Sequence, residues 1–405
     1  MPTLPTVSTP PRPGSDPPSF ETSRQQPAGG LDVAKLIQAL HAPQSRSLLP
    51  EHPEVQRDDD RIVLTDPCVT CGADSARRTY RIEGLHSGVV TCTVCGTGSL
   101  HPLPDRREIS SFYPKQYYGE VQAKFEPVVE FLVRWVASRH VRSLIRGLRP
   151  GARVLDMGCG RGVLLSGLLA AGCETHGVEI SRDAVAGIDP RARIRIASRL
   201  AEAGYPDRHF DLVVLWHVLE HLPDPVETLR EARRILKPGG RLVIAVPNYS
   251  SLQSQVFGER WFHLDLPRHL FHFPCAALKR LLHRQGFSCR SWHHFSLRQN
   301  PFGWLQSSVN GRFRWRRNVL YKLLYRRETP TPRIERFLAR LLKLACYASL
   351  PLGVLLSLLA ACGRSGATVH VVAEVAQQPG DAFDVSSGRA SVSERQIAET
   401  HSAVC

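Results

Sequence analysis

An α/β fold, with a mostly parallel sheet covered by helices on both faces, is what this sequence predicts, and three observations carry that reading. The run Val154-Leu155-Asp156-Met157-Gly158-Cys159-Gly160-Arg161-Gly162 is an apolar strand that breaks into a glycine turn and restarts as the apolar helix of residues 163–171. Apolar strand-like runs recur downstream, separated by helix and turn signals, which is the alternation that builds parallel sheets. An acid, Glu179, closes the second of these runs about twenty residues after the first glycine.

Taken in order, strand one ends at Met157 and strand two is Thr175-His176-Gly177-Val178-Glu179. A third strand is expected over residues 194–197. The fourth, Phe210-Asp211-Leu212-Val213-Val214-Leu215-Trp216, is a continuous apolar run of the kind buried on both faces. The loop His217-Val218-Leu219-Glu220-His221-Leu222-Pro223-Asp224-Pro225 leads into a helix through Leu236, and Lys237-Pro238-Gly239-Gly240 turns the chain into strand five, residues 242–246. A helix over residues 275–285 stops at Gly286, strand six covers 287–295 and strand seven 367–375. Gly158, Gly160 and Gly162 let backbone approach a ligand where a side chain would collide, beside the N-terminal amides of a helix. Val163 stands where a dinucleotide fingerprint requires glycine.

The D-x-G-x-G motif beginning at Asp156, the acid Glu179, the His217–Pro225 loop and the Lys237-Pro238-Gly239-Gly240 turn fall in register over residues 150–296. Together they resemble the class I S-adenosylmethionine-dependent methyltransferases. The resemblance implies a Rossmann-like seven-stranded sheet and S-adenosylmethionine as methyl donor, with Glu179 on the ribose hydroxyls. It further implies cofactor contacts from Asp156, Gly158, Cys159, Gly160, Gly162, Glu179, Ile180, Trp216 and His217, with Asp211 supporting the end of strand four. One departure is visible. Where the family often has an adenine-binding acid after strand three, this chain has Ser198, with Glu202 nearby, and that contact is left unassigned.

Methyl transfer from a sulfonium asks the protein to align the reacting atoms, exclude water and sometimes remove a proton. Candidates for the proton step are His217, Glu220 and His221 after strand four, at the carboxyl edge where open α/β sheets bind ligands, and His269 in the stretch Trp261-Phe262-His263-Leu264-Asp265-Leu266-Pro267-Arg268-His269. His269 is the first choice and His221 the second. Each histidine also fits a plain loop-bracing role, and catalysis by proximity without a base stays open.

Upstream, Cys68-Val69-Thr70-Cys71 and Cys92-Thr93-Val94-Cys95 are two knuckles separated by twenty residues, with strand-like segments 79–82 and 88–91 between them. This is zinc-ribbon spacing: four thiolates close a tetrahedral site with no open position, so Cys68, Cys71, Cys92 and Cys95 are expected to hold a structural Zn2+. No secretory leader is expected and the remaining cysteines are scattered singly, which disfavours disulfides. The aromatic run Ser111-Phe112-Tyr113-Pro114-Lys115-Gln116-Tyr117-Tyr118 resembles the connector of bacterial methyltransferases that carry such a module. It could cover the cofactor or pack the ribbon on the main domain.

The expected organisation is a disordered Pro/Ser-rich arm (1–60), the ribbon (61–105), a connector and helix (106–150), the core (151–296), an insertion (297–366), the last core strand (367–376) and a loose tail (377–405). About seventy residues between strands six and seven are too many for a structureless loop. The insertion is a helical element whose first part, Arg312-Phe313-Arg314-Trp315-Arg316-Arg317 through Arg327, is cationic and aromatic, and whose second part, residues 344–362, is apolar and uncharged. As one helix the second part would reach roughly 28 Å, close to a bilayer core. Three readings stay open: a buried hairpin, a membrane-surface or re-entrant element, and a true span. Pro351 and Gly353 favour helix-turn-helix over a straight helix. Basic and aromatic residues beside an apolar segment fit an anionic membrane surface, so residues 311–363 are the expected contact.

The net charge of +15 also admits nucleic acid. The Asn/Asp-Pro-Pro-aromatic signature of base-amino methylation is absent, however, and Pro247-Asn248-Tyr249 does not replace it, so RNA is the less favoured acceptor. A non-catalytic, membrane-anchored scaffold is the remaining alternative. The expected protein is a bacterial-type methyltransferase in the cytoplasm, peripheral or monotopic at the inner face of the cytoplasmic membrane. Its acceptor is a small molecule, a sugar or a lipid-linked glycan. The acceptor atom and the oligomeric state do not follow from these residues.

Overall fold

Two sheets share one loop in the computed structural model, which describes residues 61–81, 86–113, 127–312, 317–324 and 333–376. The expected arm (1–60) and tail (377–405), the aromatics of residues 114–118 and most of the basic run (313–316 and 325–327) lie outside the described residues.

The chain opens with four short antiparallel strands, β1 (Arg61–Val63), β2 (Ser75–Tyr80), β3 (Gly88–Cys92) and β4 (Gly98–His101). Helix α1 (Arg106–Ser111) follows, its free amides answered by an Asp105/Glu108 capping box, and then α2 (Pro127–Leu144). The core runs β5 (Arg153–Met157), α3 (Val163–Ala170), β6 (Glu174–Glu179), α4 (Arg182–Val185), β7 (Arg193–Ile196), β8 (Phe210–Trp216), α5 (Pro225–Ile235) and β9 (Leu236–Pro247). After α6 (Leu252–Phe257) come β10 (Phe271–His272), α7 (Cys275–Arg284) and β11 (Phe287–His293). The insertion is α8 (Asn300–Arg312), α9 (Val319–Leu324) and α10 (Arg333–Cys362), and β12 (Thr368–Val375) closes the core.

The seven-stranded sheet has the order β11-β12-β9-β8-β5-β6-β7. Only β12 runs against its neighbours, so the insertion both leaves and re-enters at the carboxyl edge. β8 shows why its run is unbroken: Val213 and Leu215 face one apolar layer while Leu212 and Val214 face the other. Strand five is longer than expected. The turn Lys237-Pro238-Gly239-Gly240 is a tight excursion inside β9 because Gly239 takes φ 73° and a Cβ on Gly240 would lie 2.8 Å from the Lys237 carbonyl oxygen.

The ribbon sheet has the order β1-β2-β3-β4-β10, and its fifth strand is supplied by the core. Phe271 pairs with Ser99 and His272 with Gly98.

The expected break at Pro351 and Gly353 is corrected by the structure: α10 continues through both. Proline costs the helix one hydrogen bond, whereas Gly353 serves packing. A Cβ there would lie 2.9 Å from the Pro301 carbonyl oxygen, so the missing side chain is what lets α10 lie directly on α8. The opposite face of α10 presents Leu341, Leu344, Leu352, Leu355 and Leu359 to the outside. Ala339–Cys362 is long and apolar enough to cross a membrane, with mean hydropathy 2.0 and only 22% of its apolar stretch buried.

Candidate active site

At the end of β5 the chain turns through Gly158 and Gly160, both with positive φ, into Gly162, which caps α3 at φ 70°. A Cβ on Gly158 would stand 2.6 Å from Val218 Cγ2, so this position brings the loop against the turn after β8. At Gly160 a Cβ would meet nothing, and open space lies in front of the loop. The Glu179 carboxylate borders it, accepting hydrogen bonds from the amides of Gly160 (2.9 Å), Ile180 (2.9 Å) and Ser181 (3.1 Å). Burial, with the Glu179 charge nearby, pushes the Asp156 carboxyl up to about 8. An open glycine turn beside the Glu179 carboxylate fits an adenosine sulfonium: ribose hydroxyls donate to that carboxylate, and the positive sulfur is compatible with the acidic side chains nearby.

Two expected residues, Cys159 and Asp211, are placed differently from their expected roles. The Cys159 side chain packs into the core with Leu165 and Ala192, leaving only its backbone for the loop. Ile180 is 59% exposed beside Glu179, an apolar surface next to the ribose position. Asp211 does not support the ligand-binding end of β8. It sits at the opposite end, accepting from the Arg153 amide (2.9 Å) and the Lys237 ammonium (2.7 Å). After β7, Glu202 accepts from the Ser198 amide (3.0 Å) and hydroxyl (2.8 Å), bracing that turn.

The candidate acid–base residues converge beyond the end of β8. His217 has φ 55°, a conformation rare outside glycine, held where the loop turns off the sheet. Its Nδ1 lies 3.2 Å from Glu220 Oε1, and its Nε2 has no hydrogen-bond partner among the described residues. Burial, followed by the Arg298 charge, pushes His217 down to about 3. Burial pushes Glu220 up to about 7. His269 Nδ1 donates to the His263 carbonyl oxygen at 2.9 Å, which turns Nε2 toward Glu220 (4.0 Å) and Asp265 (3.9 Å). Burial holds His269 well below the usual imidazole range. His221 packs edge-on to His269 with centroids 4.5 Å apart, and its Nδ1 lies 3.0 Å from the Arg268 carbonyl oxygen and 2.8 Å from the Tyr113 hydroxyl. Glu220, His221 and His269 each offer one ligand-capable atom within 4.8 Å of the others.

His217, His221 and His269, but not Glu220, line a cavity of about 460 Å³. Trp216 and Arg298 line it too. Its apolar walls come from Val133 and Val136 of α2 and Leu350 and Val354 of α10. Sequence reasoning missed both walls, because nothing local announces that α2 and α10 meet over the same edge of the sheet. It also passed over Arg298 and Asp265, which lie in segments with no motif of their own.

The four ribbon cysteines come together as expected. Cys68 and Cys95 sulfurs are 3.5 Å apart, those of Cys71 and Cys92 3.6 Å, and all four lie within 4.8 Å of one another. Hydrogen bonding to Cys68 pushes Cys95 down to about 4, while Cys68 and Cys71 move up. Such crowding of ionisable sulfurs is relieved by a divalent cation at their centre, so the donor set fits Zn2+.

Fold and glycine cradle together define a class I S-adenosylmethionine-dependent methyltransferase domain. Residues 133–291 match the family described as a methyltransferase domain. The chain is 31% identical over 132 residues to the ubiquinone biosynthesis O-methyltransferase of Xanthomonas oryzae pv. oryzae, covering 30% of this chain and 55% of the relative. It is 28% identical over 162 residues to the enzyme of the same name from Proteus mirabilis, covering 38% and 64%. The chain thus spans about half to two thirds of the length of these curated relatives. Among solved structures, a SAM-dependent methyltransferase from Archaeoglobus fulgidus aligns at 22% identity with a TM-score of 0.39, over 60% of this chain and 94% of that one.

Proposed function

We propose that the protein transfers a methyl group from S-adenosylmethionine to a hydroxyl at the polar end of an amphiphilic acceptor, a lipid-linked or otherwise apolar-tailed small molecule or sugar, at a membrane surface. The observation that carries this reading is the cavity's mixed lining: histidines and arginines from the loops at the sheet edge together with aliphatic side chains from α2 and α10. The names of the curated relatives favour oxygen as the acceptor atom.

S-adenosylmethionine, when bound, supplies an electrophilic methyl group. Asp156, Gly158, Gly160, Gly162 and Glu179 hold it, with Ile180 and Trp216 as apolar cover. The acceptor hydroxyl gives its proton to Nε2 of His217, whose Nδ1–H is held by the Glu220 carboxylate. His269, braced by the His263 carbonyl, and His221 orient the hydroxyl. Burial keeps His217 and His269 neutral, so neither repels the sulfonium, and the Glu220 carboxylate on Nδ1–H is what would offset the cost of a proton arriving at His217.

The exposed leucines of α10 would rest in the interfacial region of the cytoplasmic membrane's inner leaflet. A span is disfavoured because α10 is packed lengthwise on α8 and also lines the cavity. The test is incubation of the full chain with methyl-labelled S-adenosylmethionine and a bacterial membrane-lipid extract, an aqueous metabolite extract, or total RNA. Label entering the lipid extract supports the proposal. Label in RNA alone replaces it with the nucleic-acid reading, and no binding of S-adenosylhomocysteine replaces it with a scaffold.

A further inference from the structure

The strand that completes the ribbon sheet belongs to the loop that carries the candidate active-site residues. β10 follows directly on Arg268, His269 and Leu270, and it is antiparallel to β4. Leu270 is bonded on both sides: its carbonyl oxygen accepts from the Leu100 amide of the ribbon (2.9 Å), and its amide donates to the Glu220 carbonyl oxygen (2.8 Å). Its neighbours on the chain each hold a histidine or are one. The Arg268 carbonyl oxygen meets His221 Nδ1 at 3.0 Å, and His269 is anchored on the His263 carbonyl.

From the cysteines inward the path is equally short. The Cys92 amide donates to the Thr97 carbonyl oxygen (2.9 Å), and Cys95 Sγ lies 3.2 Å from the Thr97 hydroxyl. That hydroxyl donates to Thr70 between the other two cysteines (2.9 Å). Thr97 therefore ties both knuckles together, and the next residue, Gly98, begins β4. Gly98 is glycine where β4 meets β10: a Cβ there would lie 3.1 Å from His272 Cβ and 3.1 Å from Tyr249 Cε1. The first knuckle is also tied to the core, the Arg284 guanidinium donating to the Thr70 carbonyl oxygen at 2.8 Å.

We infer that the zinc ribbon is a positioning module for the acceptor site: metal at the four cysteines sets β4, and β4 sets, through Leu270, the backbone that presents Glu220, Arg268 and His269. Two short strands carry little stability alone, so holding β10 depends on β4 being rigid. The cofactor cradle is formed by β5, β6 and their loops, and the path meets it only where Gly158 packs against Val218 of the turn after β8. The inference rests on the proposed function only for its consequence in turnover. The coupling itself is a property of the fold.

The test compares the zinc-loaded full chain with Cys71→Ser and Gly98→Val, measuring zinc content, amide hydrogen exchange by mass spectrometry, and S-adenosylhomocysteine binding by calorimetry. With Cys71→Ser, exchange is expected to rise about tenfold or more at residues 219–222 and 268–273, while peptides 153–163 and S-adenosylhomocysteine affinity change less than about threefold. Gly98→Val is expected to retain stoichiometric zinc and give the same local loss of protection. Protection at 268–273 unchanged by Gly98→Val, or by zinc loss that opens residues 75–101, overturns the inference. A uniform rise over the chain with loss of S-adenosylhomocysteine binding in both variants overturns it too, since the metal would then serve general folding. Failure of the wild-type chain to bind S-adenosylhomocysteine would sink the proposed function and leave the exchange result standing.

Discussion

Glu220 Oε1 lies 3.2 Å from His217 Nδ1, and this contact sets which nitrogen of His217 is free. An ionised Glu220 accepts Nδ1–H and leaves the lone pair on Nε2, which is buried without a hydrogen-bond partner among the described residues. A protonated Glu220 donates to Nδ1 instead, which places the hydrogen on Nε2 and removes the base. Burial puts the switch at about 7. Methyl transfer is expected to rise with pH to a plateau with an apparent pKa near that value, and Glu220→Gln should lower kcat by about 10²- to 10⁴-fold and abolish the inflection. A pH–rate profile of the two proteins checks this, and an unshifted inflection in the variant would refute the pairing.

The same residue makes stability depend on pH. Glu220 is raised from an ordinary 4.5 to about 7, so the folded chain favours its protonated form. The stability this contributes is fully present below 4.5 and is lost as pH rises through about 7. Glu220→Gln, which cannot ionise, should therefore gain on the wild type in urea denaturation as pH increases across that window. Parallel curves from pH 4.5 to 7 would contradict the burial that raises Glu220.

The cradle glycines should separate binding from folding. Gly160 has open space before it, so Gly160→Ala should cost about 1 kcal/mol of stability from its positive φ but weaken S-adenosylhomocysteine binding about tenfold or more by filling the approach. Gly158→Ala meets Val218 and should lower the melting temperature more than Gly160→Ala does. Calorimetry of ligand binding and of unfolding together decide the case.

Two faces of α10 should respond oppositely to substitution. Gly353→Val presses on Pro301 and should destabilise the chain by about 1–3 kcal/mol with vesicle binding judged at matched folded fraction unchanged. Leu355→Glu with Leu359→Glu changes exposed positions and should leave unfolding within about 0.5 kcal/mol of wild type while abolishing sedimentation with anionic vesicles. Retained sedimentation would remove this helix from the membrane contact.

Much of this molecule is written locally, and those parts were readable. The strand at Phe210–Trp216 is apolar without interruption because both faces are covered, and Gly158, Gly160 and Gly162 stand where φ is positive. The paired cysteines at Cys68/Cys71 and Cys92/Cys95 come together because two knuckles joined by a hairpin have few other ways to meet. In each case the physical constraint acts within a few residues or on one repeated spacing.

What the sequence by itself determined was thus the parallel core, the glycine turn after its first strand and the cysteine cluster. Only the tertiary structure decided that α10 runs unbroken through Pro351, that α2 and α10 wall one cavity over Trp216 and His217, that Asp211 braces the far end of its strand, and that β10 joins the ribbon. Those outcomes depend on partners far along the chain, as between Gly353 and Pro301 on facing helices or Leu100 and Leu270 across a sheet. Helix propensity and turn signals describe a residue's own neighbourhood, and long-range packing overrides them wherever a glycine is needed for contact instead of flexibility.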